Sequence, residues 1–484
     1  MPKKIQGIDL GSANNAGLFV MPDITGSTVT AGNGASDFVK TGGVGATVTA
    51  GNINNDQISF GNGTDDLVLV GLAASTSDTS GSGQDATASA TITGSISGDT
   101  IGFGDGSADS VIIAPSVTIT AMADSTHAAT ANATVTTGNI SNDKITFGNG
   151  DGDLVAVGPT LENVTATGGG NATTNQTVTS AGSITGDTIA FGDGVGDSVS
   201  VENGFNLTVI ADARSGSSPD RMAINNLTAV VHSGNISSDK ITFGDGGGDF
   251  VKLGQPTIDF SATAEAGSGG HADQNISISV TADGKVNDNT FTFGNGDGDY
   301  VSAFGDLIHN TITFGNGSGD YVTNVFASFA GLSSNNKITM GNGNNDSVTL
   351  GVGVPSAGGD SIITGTGLGD TVQVGTHNNA DTFGFALGTN GTAFTEITGA
   401  RAGDQVISGN NLGTNVVTEP GTFASLLDFF NFVSGLPPTS NNTYIGNNGA
   451  DTFIVTDHKG ELGAVEIVGV FTGNTNGTHV LTLA

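Results

Sequence analysis

Apolar residues recur along this chain in short alternating runs, each broken by a glycine-rich corner. In Asp143-Lys144-Ile145-Thr146-Phe147, Ile145 and Phe147 fall on one face and Lys144 and Thr146 on the other; Gly148-Asn149-Gly150 interrupts the run, and Leu154, Val155 and Val157 resume it. Alternation of period two marks a short strand with one buried face, and Gly-Asn-Gly marks a tight turn, read here as one needing positive φ. The unit is strand, corner, strand.

This unit, Asp-x-Ile-x-Phe-Gly-(Asn/Asp)-Gly-x-x-Asp-x-Val, repeats along most of the chain. Copies run from Asp56 to Val68, Asp99 to Val111, Asp143 to Val155, Asp187 to Val199 and Asp239 to Val251. Asn takes the first position in the copies from Asn289 to Val301, Asn310 to Val322 and Asn336 to Val348, a looser copy spans Asp360 to Val372, and half copies lie at Gly32 to Val39 and Ile445 to Val455. Repetition of one supersecondary unit that cannot bury its own face predicts a solenoid. The expected fold is all-β, a parallel β-solenoid of β-roll or β-helix type, with inserted β-hairpins and one short C-terminal helix.

The repeat interval divides the chain. Early copies lie 44 residues apart (Asp99, Asp143, Asp187), whereas from Asn289 the interval falls to 21 and then 26. The early units therefore carry insertions, such as Val117 to Thr137 and Val164 to Ser180, whose Thr, Ala and Val alternation reads as hairpins or extra strands beside the solenoid. Four regions result: an N-terminal arm over 1–31, a candidate assembly strand; long-period repeats over 32–284; short-period repeats over 285–375; and a C-terminal cap over 376–484. In the cap, Phe423, Leu426, Leu427, Phe430 and Val433 fall at helical spacing before Gly435 and Pro437, predicting a helix over 422–434.

Charge sharpens the reading. Asp plus Glu number 46 against 12 Lys plus Arg, a formal net charge of -34. Such a surface repels nucleic acid and anionic lipid, so no nucleic-acid partner is expected and a cation is. Cysteine is absent, which excludes disulfides and thiolate chemistry. No apolar run approaches the roughly 20 residues of a membrane span, so no transmembrane segment is expected. Lys3 and Lys4 are not followed by an apolar stretch of the secretory-signal kind.

Stacked turns place equivalent aspartates roughly 5 Å apart. At that spacing like charges repel by about 3 kcal/mol at an effective dielectric of 20, which calls for a counterion between turns. The donors on offer are Asp carboxylates, Asn amides and corner carbonyls, a hard-oxygen set that suits several calcium ions. The metal candidates at the second position are Asp66, Asp109, Asp153, Asp197, Asp249, Asp299, Asp320, Asp346 and Asp370. At the first position, Asp56, Asp99, Asp143, Asp187 and Asp239, ligand and turn-capping readings both stand, because Asn substitutes there. Asp151 and Asp297 at corners and Asp451 in the late half copy complete the candidates. The Phe of each unit, such as Phe103 and Phe147, reads as a core stack.

The runs Gly148-Asn149-Gly150-Asp151-Gly152-Asp153-Leu154, Gly294-Asn295-Gly296-Asp297-Gly298-Asp299-Tyr300 and Gly315-Asn316-Gly317-Ser318-Gly319-Asp320-Tyr321 resemble the nonapeptide of the repeat-in-toxin family. That likeness implies a β-roll with calcium in its turns, and Asp153, Asp299 and Asp320 match the liganding aspartate. The C-terminal helix and Gly446-Asn447-Asn448-Gly449-Ala450-Asp451-Thr452-Phe453 resemble the end region of members exported by type I secretion, which implies an extracellular or cell-surface location without a cleaved N-terminal signal. This chain departs from the family in its ten-residue half-period and its insertions.

The seven histidines are scattered, and neither a His-Glu-x-x-His motif, a Gly-x-Ser-x-Gly elbow nor a phosphate loop occurs. An enzyme is therefore not expected. The expected function is a secreted structural protein that self-assembles into a surface layer or extracellular filament, with a homopolymer as partner and a cell-surface glycan as candidate anchor. The alternative is a monomeric calcium-dependent adhesin or glycan- or ice-binding module.

Overall fold

A computed structural model describes residues 52–70, 84–123, 127–213, 221–266, 270–281, 283–326, 329–385, 394–408, 415–437, 442–458, 461–475 and 480–483, together with strand segments at 8–9, 17–20, 24–25, 28–30, 38–41, 47–50 and 74–79. The chain forms two compact units, one of residues 1–194, 198–240 and 252–284, the other of 195–197, 241–251 and 285–484. Among the described residues no helix is long and apolar enough to cross a membrane.

Both units are parallel β-solenoids. In the first, a turn passes through short strands such as Lys144–Thr146 and Leu154–Val157, and each pairs in parallel with its equivalent one repeat away. The register is strict: Ile101, Ile145 and Ile189 align, as do Val111, Val155 and Val199. These side chains are fully buried, each contributing about 1.5–3 kcal/mol against the entropy of ordering its strand. The repeat Phe stacks as expected. Ring centroids of Phe60, Phe103, Phe147 and Phe191 follow one another at 4.9, 4.8 and 4.8 Å with planes within 3°.

The insertions run out and back, yet their two strands do not form a hydrogen-bonded hairpin. Ser116–Met122 and Thr160–Thr167 belong to one five-stranded parallel sheet, while Ala129–Ser141 and Ala172–Ser180 belong to another. Pairing along the solenoid satisfies every backbone donor with the next repeat, and it lets Ala or Val face inward between the layers. Ala86, Ala129, Ala172 and Ala223 share one register row and are all buried. The result is a thin two-layer wing instead of separate hairpins.

In the second unit, Phe291, Ile312, Ile338, Ile362, Phe383 and Val406 form one row. No wing is present there because the interval leaves no residues for one. Past Gln405–Ser408 the chain turns antiparallel: Asn442–Asn447, Asp451–His458 and Glu461–Val468 form a meander. The late half copy therefore lies in a hairpin and makes no solenoid turn. The helix spans Leu426–Ser434, shorter than 422–434, because Asn415–Thr422 is a strand and Ser425 caps the helix through its side chain and the Asp428 N–H. It buries Leu426, Phe429, Phe430 and Val433, whereas Leu427 is exposed.

The N-terminal arm contributes strands of its own. Ile8–Asp9 pairs in parallel with Thr28–Thr30 and Gly17–Val20 with Phe38–Thr41, so these segments belong to the first turn. The rest of 1–31 lies outside the described residues.

Candidate functional site

Each turn has two inward carboxylate or amide positions, and the backbone creates them in the same way. The residue just before each one is left-handed: Asn142 has φ 58° ahead of Asp143, and Gly152 has φ 74° ahead of Asp153. Asn, Asp and Gly tolerate this region best, and Ala108 and His309 also occupy it. The Gly-Asn-Gly corners are not left-handed, contrary to the sequence expectation. Their glycines are required by crowding between turns, since a Cβ on Gly106, Gly150, Gly317 or Gly343 would collide with the carbonyl of the equivalent glycine one turn earlier.

The first position forms a column in which both carboxylate oxygens are used. Backbone N–H groups of Asp99, Asp143 and Asp187 donate to Oδ1 of Asp143, Asp187 and Asp239, each at 2.7 Å. Oδ2 of Asp99, Asp143 and Asp187 accepts the N–H two residues earlier in its own turn, each at 3.0 Å. Asp56 holds the same place and accepts the Asn54 N–H. In the second unit Asn289, Asn310 and Asn336 continue the pattern, and the extra amide donor of Asn310 reaches the Val286 carbonyl at 2.8 Å. Asn fits because the position caps backbone groups.

The second position differs. In the first unit Asp66 and Asp109 donate their N–H to Oδ1 of Asp109 and Asp153 at 2.9 and 3.0 Å. In the second unit Asp197, Asp249, Asp299, Asp320 and Asp346 donate likewise to the next aspartate, ending at Asp370, at 2.9–3.2 Å. The other oxygen, Oδ2, of Asp109, Asp249, Asp299, Asp320, Asp346 and Asp370 is buried without a hydrogen-bond partner. It faces the corner: the position a Gly106 Cβ would take lies 3.2 Å from Asp109 Oδ2 and against the Gly63 carbonyl oxygen. Oxygen donors of side chain and backbone thus converge on one space per turn.

Burial raises these carboxyls. Loss of solvent, opposed by the backbone N–H bond and reinforced by neighbouring aspartates, pushes Asp109, Asp249, Asp299 and Asp320 up to about 7. In the first column Asp99 and Asp187 are pushed to about 8 for the same leading reason. Both columns therefore disfavour uncompensated negative charge.

The remaining candidates stand elsewhere. Asp151 and Asp297 are exposed at corner tips, where Asp297 Oδ1 accepts the Ser318 N–H at 2.7 Å. Asp451 lies on the antiparallel meander, held by Asn448 Nδ2 at 3.1 Å, outside both columns. Among the described residues no three His, Cys, Asp or Glu side chains converge to form a ready-made metal centre, so an ion in the second column would draw on backbone oxygens too.

Sequence reasoning missed the end of the first column. Asp360, Asp381 and Asp404 extend it, with N–H to Oδ1 bonds of 2.9 and 3.0 Å. Beside them His377 is buried, its Nδ1 2.8 Å from the Gly375 carbonyl and its Nε2 3.0 Å from Asp404 Oδ1. Both partners are acceptors, so both ring nitrogens carry protons. Desolvation lowers the affinity of this imidazole for a proton, but the Gly375 carbonyl, Asp404 and Asp381 more than reverse it, and its pKa is raised. The signal was present as Asp381-Thr382-Phe383, an Asp-x-apolar start without the following Gly-Asn-Gly.

No known protein-family model matches this chain, and no curated protein matches it either.

Proposed function

We propose that this protein is an extracellular, calcium-binding structural solenoid that assembles with copies of itself into a surface layer or filament. The observation that carries the proposal is the second column, with one buried carboxylate oxygen per turn that lacks a donor and faces backbone carbonyls. An ionised carboxylate buried without a partner costs several kcal/mol. Repeated in every turn, that cost calls for a cation between turns, and calcium takes six to eight oxygens in flexible geometry. Asp66, Asp109 and Asp153 in one unit and Asp197, Asp249, Asp299, Asp320, Asp346 and Asp370 in the other would hold the ions with corner carbonyls. Bound calcium supplies neutralising charge and ties consecutive turns.

Metal-binding free energy then adds to folding free energy. The chain folds poorly where calcium is scarce and fully outside the cell, which fits export in an unfolded form by a type I route. Circular dichroism and calorimetry with chelator, then with calcium, test this. A full β spectrum in chelator and no heat of calcium binding would remove the metal from the reading.

One observation favours a second reading, a module that binds glycan or ice. On the outer face of the wing, Thr91, Thr134, Thr177 and Thr228 share one register row, and Ser89, Asn132, Asn175 and Asn226 the next. Such rows are about 4.8 Å apart between strands and about 6.6 Å apart along them, a regular uncharged array. Glycan-array binding and ice-recrystallisation assays on Thr134→Lys separate the readings: loss of binding with assembly intact favours the module.

A further inference from the structure

The wing ends abruptly. Its last two strands, Thr257–Ala266 and His271–Thr281, each pair on one side only, with Gly204–Ala213 and Met222–His232, and each stands at the edge of its sheet. Earlier wing strands bury their inward side chains against the next repeat, but these have no further repeat. Phe260 is 42% exposed, Ile276 37% and Val280 47%. The apolar interior of the wing, built from Phe205, Leu207, Val209 and Leu227, thus opens to solvent between two unpaired strand edges. Such an edge invites strand addition.

The two edges are level with each other. Gln274 Nε2 donates to the Ala262 carbonyl at 3.3 Å across the layers, which sets Phe260 opposite Ile276. A two-fold axis through these two residues, perpendicular to the sheets, makes both edges complementary to themselves at once. On His271–Thr281 it places Ile276 against Ile276 of the second copy, Gln274 against Ile278, and Asp273 against Ser279. On Thr257–Ala266 it places Phe260 against its own copy, Ile258 against Ala262, and Asp259 against Ser261. No like charges meet, although the chain carries a net charge of -34. Directly opposed residues of an antiparallel pair point to the same side, so the inward apolar groups of both copies join one interior.

We propose that this open wing end is a dimer interface occupied by a second copy of the chain, with each edge strand pairing antiparallel with its counterpart to give a continuous two-layer sandwich. The footprint is roughly 35 Å by 20 Å, about 700 Å² per copy, near the roughly 800 Å² per partner of a standard specific interface. A head-to-tail contact would leave the same apolar end open on the last copy, whereas the two-fold contact closes it. The inference rests on the reading that the chain associates with itself, and identifies the surface that does so.

The chain has no cysteine, which permits a direct test on the full-length protein in calcium. Across the axis the two Cα atoms of residue 276 are expected about 4.5–5.5 Å apart, within disulfide range. Ile276→Cys should form a disulfide-linked dimer on mild oxidation at least tenfold faster than Thr134→Cys, which faces outward. The double variant Phe260→Lys/Ile276→Lys opposes like charges at the axis and should raise the dimer Kd at least about a hundredfold in sedimentation, with an unchanged β spectrum. If the wild type self-associates while neither variant differs from its control, the interface is wrong and self-assembly stands. A wild-type chain that sediments as a monomer at micromolar concentration in calcium overturns both.

Discussion

The two corners of each turn look alike in sequence and differ in what they leave unsatisfied. At the first, a left-handed residue precedes an aspartate whose two oxygens both accept backbone amides, as in Asp143, and three turns of the second unit carry Asn instead. At the second, a left-handed residue again precedes an aspartate, but only one oxygen finds an amide, and Asp109, Asp299 and Asp320 keep the other buried and unpartnered. No repeat from Asp66 to Asp370 replaces that second aspartate. An amide can cap backbone groups as well as a carboxylate does, but it does not bring charge. The comparison assigns turn-holding to one corner and charge, hence the ion, to the other.

The largest expected effect comes from the corner glycines that bring the second column's carbonyls together. Gly317→Ala drives a Cβ into the Gly296 carbonyl, and the turns must part; a loss of about 4 kcal/mol or more in denaturant unfolding is expected. A variant of native stability would mean that the turns are spaced more widely than described here.

Next in size is the response to pH without metal. The folded pKa values of about 7 in the second column lie above the unfolded carboxylate value near 3.9, so the folded state binds more protons between these limits. Stability in chelator is therefore fullest below about pH 4 and declines as pH rises through about 7. Calcium should reverse the decline above about pH 6, where it replaces the protons. Melting temperatures across pH with and without calcium check this, and a chelated protein that gains stability towards pH 8 contradicts it.

A smaller, sharper contrast separates the columns residue by residue. Asp320→Asn should remove calcium-dependent stabilisation, about 1–3 kcal/mol, and leave the chelated protein unchanged or firmer, because a buried charge has gone. Asp143→Asn should cost under about 1 kcal/mol in either condition, as the native asparagines of that column indicate. Equal effects at both sites would erase the distinction drawn here. The smallest change is expected for Gly152→Ala, about 1 kcal/mol: its φ of 74° is strained for alanine, yet no atom stands near the added Cβ, and Ala108 already occupies the equivalent place.

Much of this was legible in the chain. Asp143, Ile145, Phe147, Asp153 and Val155 recur at fixed offsets, and a repeat that must stack on itself aligns like with like, so the rows of Ile, Phe and Asp follow from periodicity. The insertions were legible as outward and returning strands, but whether those strands pair with each other or with the next repeat is a choice between two hydrogen-bond networks, and alternation reads the same in both. The helix start was misread for a local reason, because Phe423 fits a helical stripe and only the pairing of Asn415–Thr422 with Asn442–Asn447 claims the preceding residues for a strand. Asp404 and His377 were missed because they meet across 27 residues without the glycine corner that marks the other turns.

The sequence by itself determined that a repeating unit stacks in parallel, which side chains enter the interior, and that two acidic positions recur in each turn, since these depend on local alternation and on identical units meeting one another. Only the tertiary structure decided which carboxylate oxygens find donors, why the corner must be glycine, and where the wing is left open. Those outcomes are set by distances between turns, and a chain read in one dimension has no such distances.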